Sequence, residues 1–225
     1  MARDPLVRVG LFTAAYLIAA ALAASRARNL EFVFYIAVLI GSIACIVWIH
    51  SRVGLTPGLL WGLSIWGALH MAGGLVTVPD HWPTDGGFRV LYSWWIIPAA
   101  SGGGQAGGWL KYDQVVHAYG FGMASWLCWQ GLQGALSDRA RGEAAFETAL
   151  RPTPGLMCLV AAAGMGLGAL NEVVEFVATR ITVTNVGGYV NTGWDLVFNL
   201  LGSSTAALLI GLSGSRRPRP RDPGD

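Results

Sequence analysis

The stretch Leu30-Glu-Phe-Val-Phe-Tyr-Ile-Ala-Val-Leu-Ile-Gly-Ser-Ile-Ala-Cys-Ile-Val-Trp-Ile49 decides the fold. It carries one charge, Glu31, at its very start. A helix of that length rises about 30 Å, the thickness of a bilayer's hydrocarbon core. Working outward from it, five further stretches read the same way: Leu6–Ala24, Leu55–Val78, Tyr112–Leu132, Gly155–Ala178 and Trp194–Leu212. Only helices or closed barrels satisfy their backbone in lipid, and none of these stretches alternates as a barrel strand does. The expected fold is therefore an all-α integral membrane protein: a six-helix transmembrane bundle, with an outer interfacial or re-entrant segment between helices three and four.

Composition agrees. The chain is 53% hydrophobic and 12% charged, against about 25% charged for a soluble domain. A formal charge of +2 is too small to point to nucleic acid. No polar stretch is long enough for a second core, so residues 1–213 are expected as one domain. The arginine-rich residues 214–225 are expected as a disordered basic cytoplasmic tail. Arg3 and Arg8 before an apolar run ending in small residues also fit a signal peptide, the alternative to a retained first helix.

Lys and Arg set the orientation. With the N-terminus inside, ten basic residues face the cytoplasm: Arg3, Arg8, Arg52, Arg139, Arg141, Arg151, Arg216, Arg217, Arg219 and Arg221. Arg26, Arg28, Arg89, Lys111 and Arg180 face out. Both termini are thus expected in the cytoplasm. Arginine outnumbers lysine fourteen to one, a hint of a GC-rich bacterial genome and hence a bacterial inner membrane.

The outer loop 79–111 contains the aromatic segment 88–98, too short to span, with Trp82, Trp94, Trp95 and Trp109 as expected belt residues. Its glycine run, 101–108, lacks the ending of a phosphate loop and reads as a flexible connector. Gly164 and Gly168 form a GxxxG suited to close helix packing. Cys45, Cys128 and Cys158 lack metal or disulfide spacing and read as small buried hydrophobes. His50 reads as an interface residue and His81 as a loop histidine.

Ionisable side chains at membrane depth cost about 2.5–3.5 kcal/mol each on insertion scales, so their presence calls for a reason. His70 lies in the third span. Asp113 and His117 are i,i+4 neighbours at the start of the fourth. Glu172 and Glu175 lie one turn apart near the end of the fifth, and Asp195 and Asn199 form another i,i+4 pair opening the sixth. With the N-terminus inside, all of them gather at the outer end. His70, His117 and Glu172 lie very roughly 8–12 Å deep and Asn199 slightly shallower; Asp113, Glu175 and Asp195 form a layer above them, with Glu31 near its rim.

These residue types suit a divalent ion, zinc foremost, held by His70, His117, Asp113 and Glu172. Glu172, Glu175, Asp195 and Asn199 are the candidate catalytic groups, with Glu175 placed to act as a general base. The plain alternative is a hydrogen-bonded plug of mutually neutralising pairs that fixes helix register. Two glutamates one turn apart repel when both ionise, so one carries a proton unless a cation or histidine compensates.

The motifs His70-Met-Ala-Gly-Gly74, Tyr112-Asp-Gln-Val-Val-His117, Asn171-Glu-Val-Val-Glu175 and Trp194-Asp-Leu-Val-Phe-Asn-Leu-Leu-Gly202 resemble the YjdF-type family of uncharacterised bacterial inner-membrane proteins. Their order is also similar to that of the broader VanZ-like group, tied to low-level glycopeptide resistance. Glu175 stands where VanZ-like proteins commonly carry Gln. Neither resemblance implies a settled activity.

Three functions fit these residues. One is a metal-assisted hydrolase or transferase acting on a lipid or lipid-linked headgroup. Another is a non-enzymatic binder of an envelope lipid or amphipathic antibiotic. The third, suggested by ten tryptophans on a short chain, is an accessory subunit of a larger membrane complex. Membrane lipid is the expected partner in the first two, and self-association is a further option.

Overall fold

The structure is a computed structural model, described for residues 4–85, 88–99, 107–140, 150–184 and 187–215. Most of the expected basic tail (216 onward) and of the glycine connector (101–106) lies outside the described residues.

Six helices follow in order: α1 (Pro5–Ala27), α2 (Leu30–Val53), α3 (Pro57–Leu75), α4 (Tyr112–Ala140), α5 (Pro154–Ile181) and α6 (Tyr189–Ser215). Their starts obey capping chemistry. The side chains of Asp4, Asn29, Thr56 and Thr153 accept backbone N–H bonds at the heads of α1, α2, α3 and α5. Proline opens α1, α3 and α5, where a missing N–H costs nothing. Arg28 (φ 50°) and Gly54 (φ 69°) adopt the left-handed conformation that ends α1 and α2.

Four helices, α1, α2, α5 and α6, are long and apolar enough to cross a membrane. Their outward faces carry large exposed hydrophobics such as Ile18, Trp48, Leu159, Phe176 and Leu208. An apolar surface that extensive needs lipid or protein over it. The chain is a membrane protein on this evidence. α3 and α4 carry His70, Asp113 and His117 among several glycines and tryptophans, for a physical reason. α4 is the central helix, packed against α2, α3, α5 and α6, and α3 is flanked by α1 and α4. Surrounded by protein, both can carry glycines, tryptophans and polar groups that a lipid-facing helix cannot.

Glycine sets the closest crossings. A Cβ on Gly202 of α6 would lie 1.9 Å from the Ala118 carbonyl oxygen of α4. One on Gly168 of α5 would lie 2.7 Å from Asn199 Nδ2. The expected small-residue packing of α5 is therefore present, against polar side chains of α4 and α6 rather than apolar ones.

The α3–α4 connection departs from the all-α expectation. It folds as a small cap: a 3-10 turn (Leu91–Ser93) and an antiparallel pair, β1 (Trp95–Pro98) with β2 (Gly108–Lys111). Bridges Thr77–Val90 and Thr84–Trp94 close it. The aromatic run pairs with the segments on either side of it instead of leaving its backbone groups open. Within the cap Trp82 and Trp94 stack with centroids 4.3 Å apart, and Trp109 is exposed.

The cysteines also depart from expectation. All three are free thiols, but Cys45 and Cys158 are exposed on outward faces and Cys128 is half-buried. In a membrane helix, apolar residues point outward as readily as inward, so apolar context alone does not predict burial.

Candidate functional site

The head of α4 puts Asp113 and His117 on one face, and Asp113 Oδ1 lies 3.5 Å from His117 Nε2. α5 brings Glu172 Oε1 to 3.7 Å from His117 Nδ1 and Glu175 Oε1 to 3.9 Å from Nε2. α6 contributes Asn199, whose Oδ1 stands 2.9 Å from Nδ1. An amide oxygen can only accept, so Nδ1–H donates to it. In the neutral ring Nε2 is then the bare nitrogen, turned towards Asp113 and Glu175. A partner that fixes the tautomer in this way is the usual companion of a metal-binding histidine.

Asp195 extends the cluster. With Asp113 and His117 it forms one set whose ligand atoms all lie within 4.8 Å; His117, Glu172 and Glu175 form another. His117 belongs to both. Its exposure is 4%, and those of Asp195 and Asn199 are 1% and 0%, so these groups have lost essentially all contact with solvent.

Oδ1 of Asp195 has no hydrogen-bond partner, and Glu172 has only loose contacts with His117, Asn171 and Asn199. Stranding a buried polar group costs about 1–3 kcal/mol, and more when it is charged. Four carboxyl groups around one imidazole also leave an excess of acid that a divalent cation would balance. The donor set, one imidazole nitrogen with carboxylate oxygens, fits zinc or a harder divalent ion. Tetrahedral zinc spaces its N and O ligands about 3.4 Å apart, slightly closer than the 3.5 and 3.9 Å around Nε2.

His70, expected among the ligands, stands apart from both sets. Its Nδ1 is hydrogen-bonded to the Tyr92 hydroxyl, and its ring meets Tyr35 and Tyr92 edge-on. Burial, then the nearby carboxylates of Asp113 and Glu175, hold the Tyr92 phenol well above its ordinary pKa, so the hydroxyl stays neutral. Glu31 is buried at the head of α2. His81 lies in an exposed turn of the cap.

Residues 6–216 match the family described as Predicted membrane protein (DUF2238). The chain belongs to that family. The match fits an uncharacterised membrane family and does not extend to the YjdF-type or VanZ-like assignments. No curated protein and no solved structure matches the chain.

In this DUF2238 member, three contributors escape a reading of the spans alone. Asn191 donates to Asp195 Oδ2 at 2.6 Å and to Asp113 Oδ2 at 3.4 Å, tying α6 to α4. Lys111, the sole lysine, donates to Asn191 Oδ1 and to Asp85 Oδ2 at 3.4 Å, and lies over the Trp95 ring. Tyr92 reaches His70 from the cap. The signal for Asn191 was present, since Asn191, Asp195 and Asn199 repeat at i, i+4 and i+8. Tyr92 and Lys111 reach the site only because the cap folds back over it, which spacing does not reveal.

Proposed function

We propose that this protein spans a bacterial inner membrane six times, with both termini cytoplasmic. In this reading the His117 cluster at the outer end of α3–α6 binds a divalent ion, zinc foremost, and acts on a lipid or lipid-linked headgroup by hydrolysis or group transfer. The ten-to-five arginine and lysine count supports the orientation. One observation carries the site. Asp195 is 1% exposed with its Oδ1 unpartnered, in a cluster of acids around an imidazole whose tautomer Asn199 fixes.

His117 Nε2, Asp113 and Glu175 are the proposed ligands, with Asp195 completing the set. Bound water on such an ion has a pKa of about 7, which supplies a nucleophile at neutral pH. Glu172, outside that ligand set, is the proposed proton acceptor. Asn199 positions the imidazole, and His70, held by Tyr92, is a wall residue rather than a ligand.

The test is metal content and turnover together. Purified protein should hold a divalent ion at a stoichiometric level and release a water-soluble headgroup from lipid vesicles. Retained metal with no product from any lipid class would favour a second reading, a binder that sequesters a lipid. An apolar cleft beside the cluster makes that reading concrete.

A further inference from the structure

α1 is fastened to α3. Thr13 and Ser64 share a hydrogen bond of 2.6 Å, and Tyr16 fits against Gly67. α2 packs less closely on both, and a cleft of about 490 Å³ opens between α1, α2, α3 and α5. That volume lies within the ~300–1,000 Å³ range of ligand pockets.

Leu, Val and Ile are the commonest lining residues, Thr13, Tyr16, Ser42 and Ser64 add hydroxyls along its length, and the more polar groups lie at the ends. His70, Asn171 and Glu175 lie at the outer end, and His50 at the other. From Tyr35 to His50 along α2 the wall runs about 22 Å, by helical rise. The cleft is therefore long and largely aliphatic, with its carboxyl and carboxamide groups at one mouth.

Glu175 connects it to the candidate site. The same carboxyl lines the cleft, accepts a hydrogen bond from Asn171 Nδ2 at 2.8 Å and lies 3.9 Å from His117 Nε2. Anything seated with its polar end at this mouth abuts the His117 cluster. A soluble substrate would gain little from 22 Å of aliphatic wall. A hydrocarbon chain gains packing along its whole length, while its head meets hydrogen-bonding groups.

We propose that the cleft holds one hydrocarbon chain of a membrane lipid, with its headgroup at Glu175, Asn171 and His70 and its tail running towards His50. The assignment rests on the headgroup reading of the cluster, and it names the substrate class: a lipid recognised by its chain as well as its head.

Gly10 provides a clean test. It lines the cleft, and a Cβ added there meets nothing within 4 Å, so Gly10→Trp grows into the space without a backbone clash. Gly41 is equally open but does not line the cleft, which makes Gly41→Trp the control. The probe is phosphatidylglycerol with a diazirine in its acyl chain, in nanodiscs of phosphatidylcholine and phosphatidylglycerol. Adducts in the native protein should concentrate on cleft residues of α1 and α3, fall at least fivefold in Gly10→Trp, and persist in Gly41→Trp. Zinc binding should be retained in Gly10→Trp, which also shows that the variant folds. Adducts spread evenly over the outward faces of the native protein, or unchanged by Gly10→Trp, would overturn the proposal. If the adduct pattern holds while the native protein binds no metal, the chain site stands and the metal reading alone fails.

Discussion

Two parts of this bundle solve opposite problems. At one end of α4–α6, four carboxyl groups, an imidazole and two asparagines gather, with His117, Asp195 and Asn199 packed away from solvent. Around α1 and α2, large apolar side chains face outward, and inside lies a largely aliphatic cleft with a few hydroxyls, the Thr13–Ser64 pair among them. The first region keeps polar groups where burial penalises them, and leaves some unpartnered. The second matches its surroundings at little cost. The contrast teaches where function lies: expense without full internal compensation marks the site, and cheap packing marks the scaffold.

The largest expected effect breaks the polar side. His117→Ala removes the imidazole shared by both candidate ligand sets, and zinc affinity should fall more than 100-fold by isothermal titration calorimetry. Asn199→Ala leaves every proposed ligand in place and removes only the group that orients the ring. Loss of such a partner typically costs 10–100-fold in metal affinity, and that is the expected result. Affinity unchanged in Asn199→Ala would mean that the tautomer is fixed by something else.

The next effect tests the crossing that brings the two asparagine-bearing turns of α6 against α4. Gly202→Val drives a side chain into the Ala118 carbonyl, and overpacking of this kind costs about 1–3 kcal/mol. It should lower the thermal midpoint and weaken zinc binding together, since the same crossing holds Asn199 beside His117.

The smallest effect belongs to the apolar side. Thr13→Val removes the Thr13–Ser64 hydrogen bond and leaves Ser64 only the Tyr16 hydroxyl, and interhelical hydrogen bonds in membranes average about 0.6 kcal/mol. Thr13→Val with Ser64→Ala should recover most of that loss, because replacing both partners by apolar groups is nearly neutral. Neither variant should alter metal affinity.

Much of this contrast was legible before any coordinates. Helix existence followed from length and apolarity, while the starts at Thr56-Pro57 and Thr153-Pro154, set by capping chemistry, fall within two residues of the expected Leu55 and Gly155. The i,i+4 pairs Asp113–His117 and Asp195–Asn199 placed four groups on two faces that the fold does bring together. His70 misled because depth along a helix is readable and azimuth is not. It lies at a suitable height on α3 but faces Tyr35 and Tyr92. The cap was illegible for a related reason. Its pairing of Trp95–Pro98 with Gly108–Lys111 is non-local, and helical periodicity carries no information about it. The cleft, too, depends on how far α2 stands from α1 and α3, a property of helix packing and not of any one helix.

The most direct measurement of the central claim is elemental analysis of the detergent-purified native protein beside His117→Ala, with thermal unfolding recorded with and without chelator. The account predicts about one divalent ion per native chain, little in the variant, and a chelator-induced fall in the unfolding midpoint of the native protein alone. A metal-free native protein whose midpoint ignores both chelator and added zinc would contradict it, and would leave the cluster a structural plug.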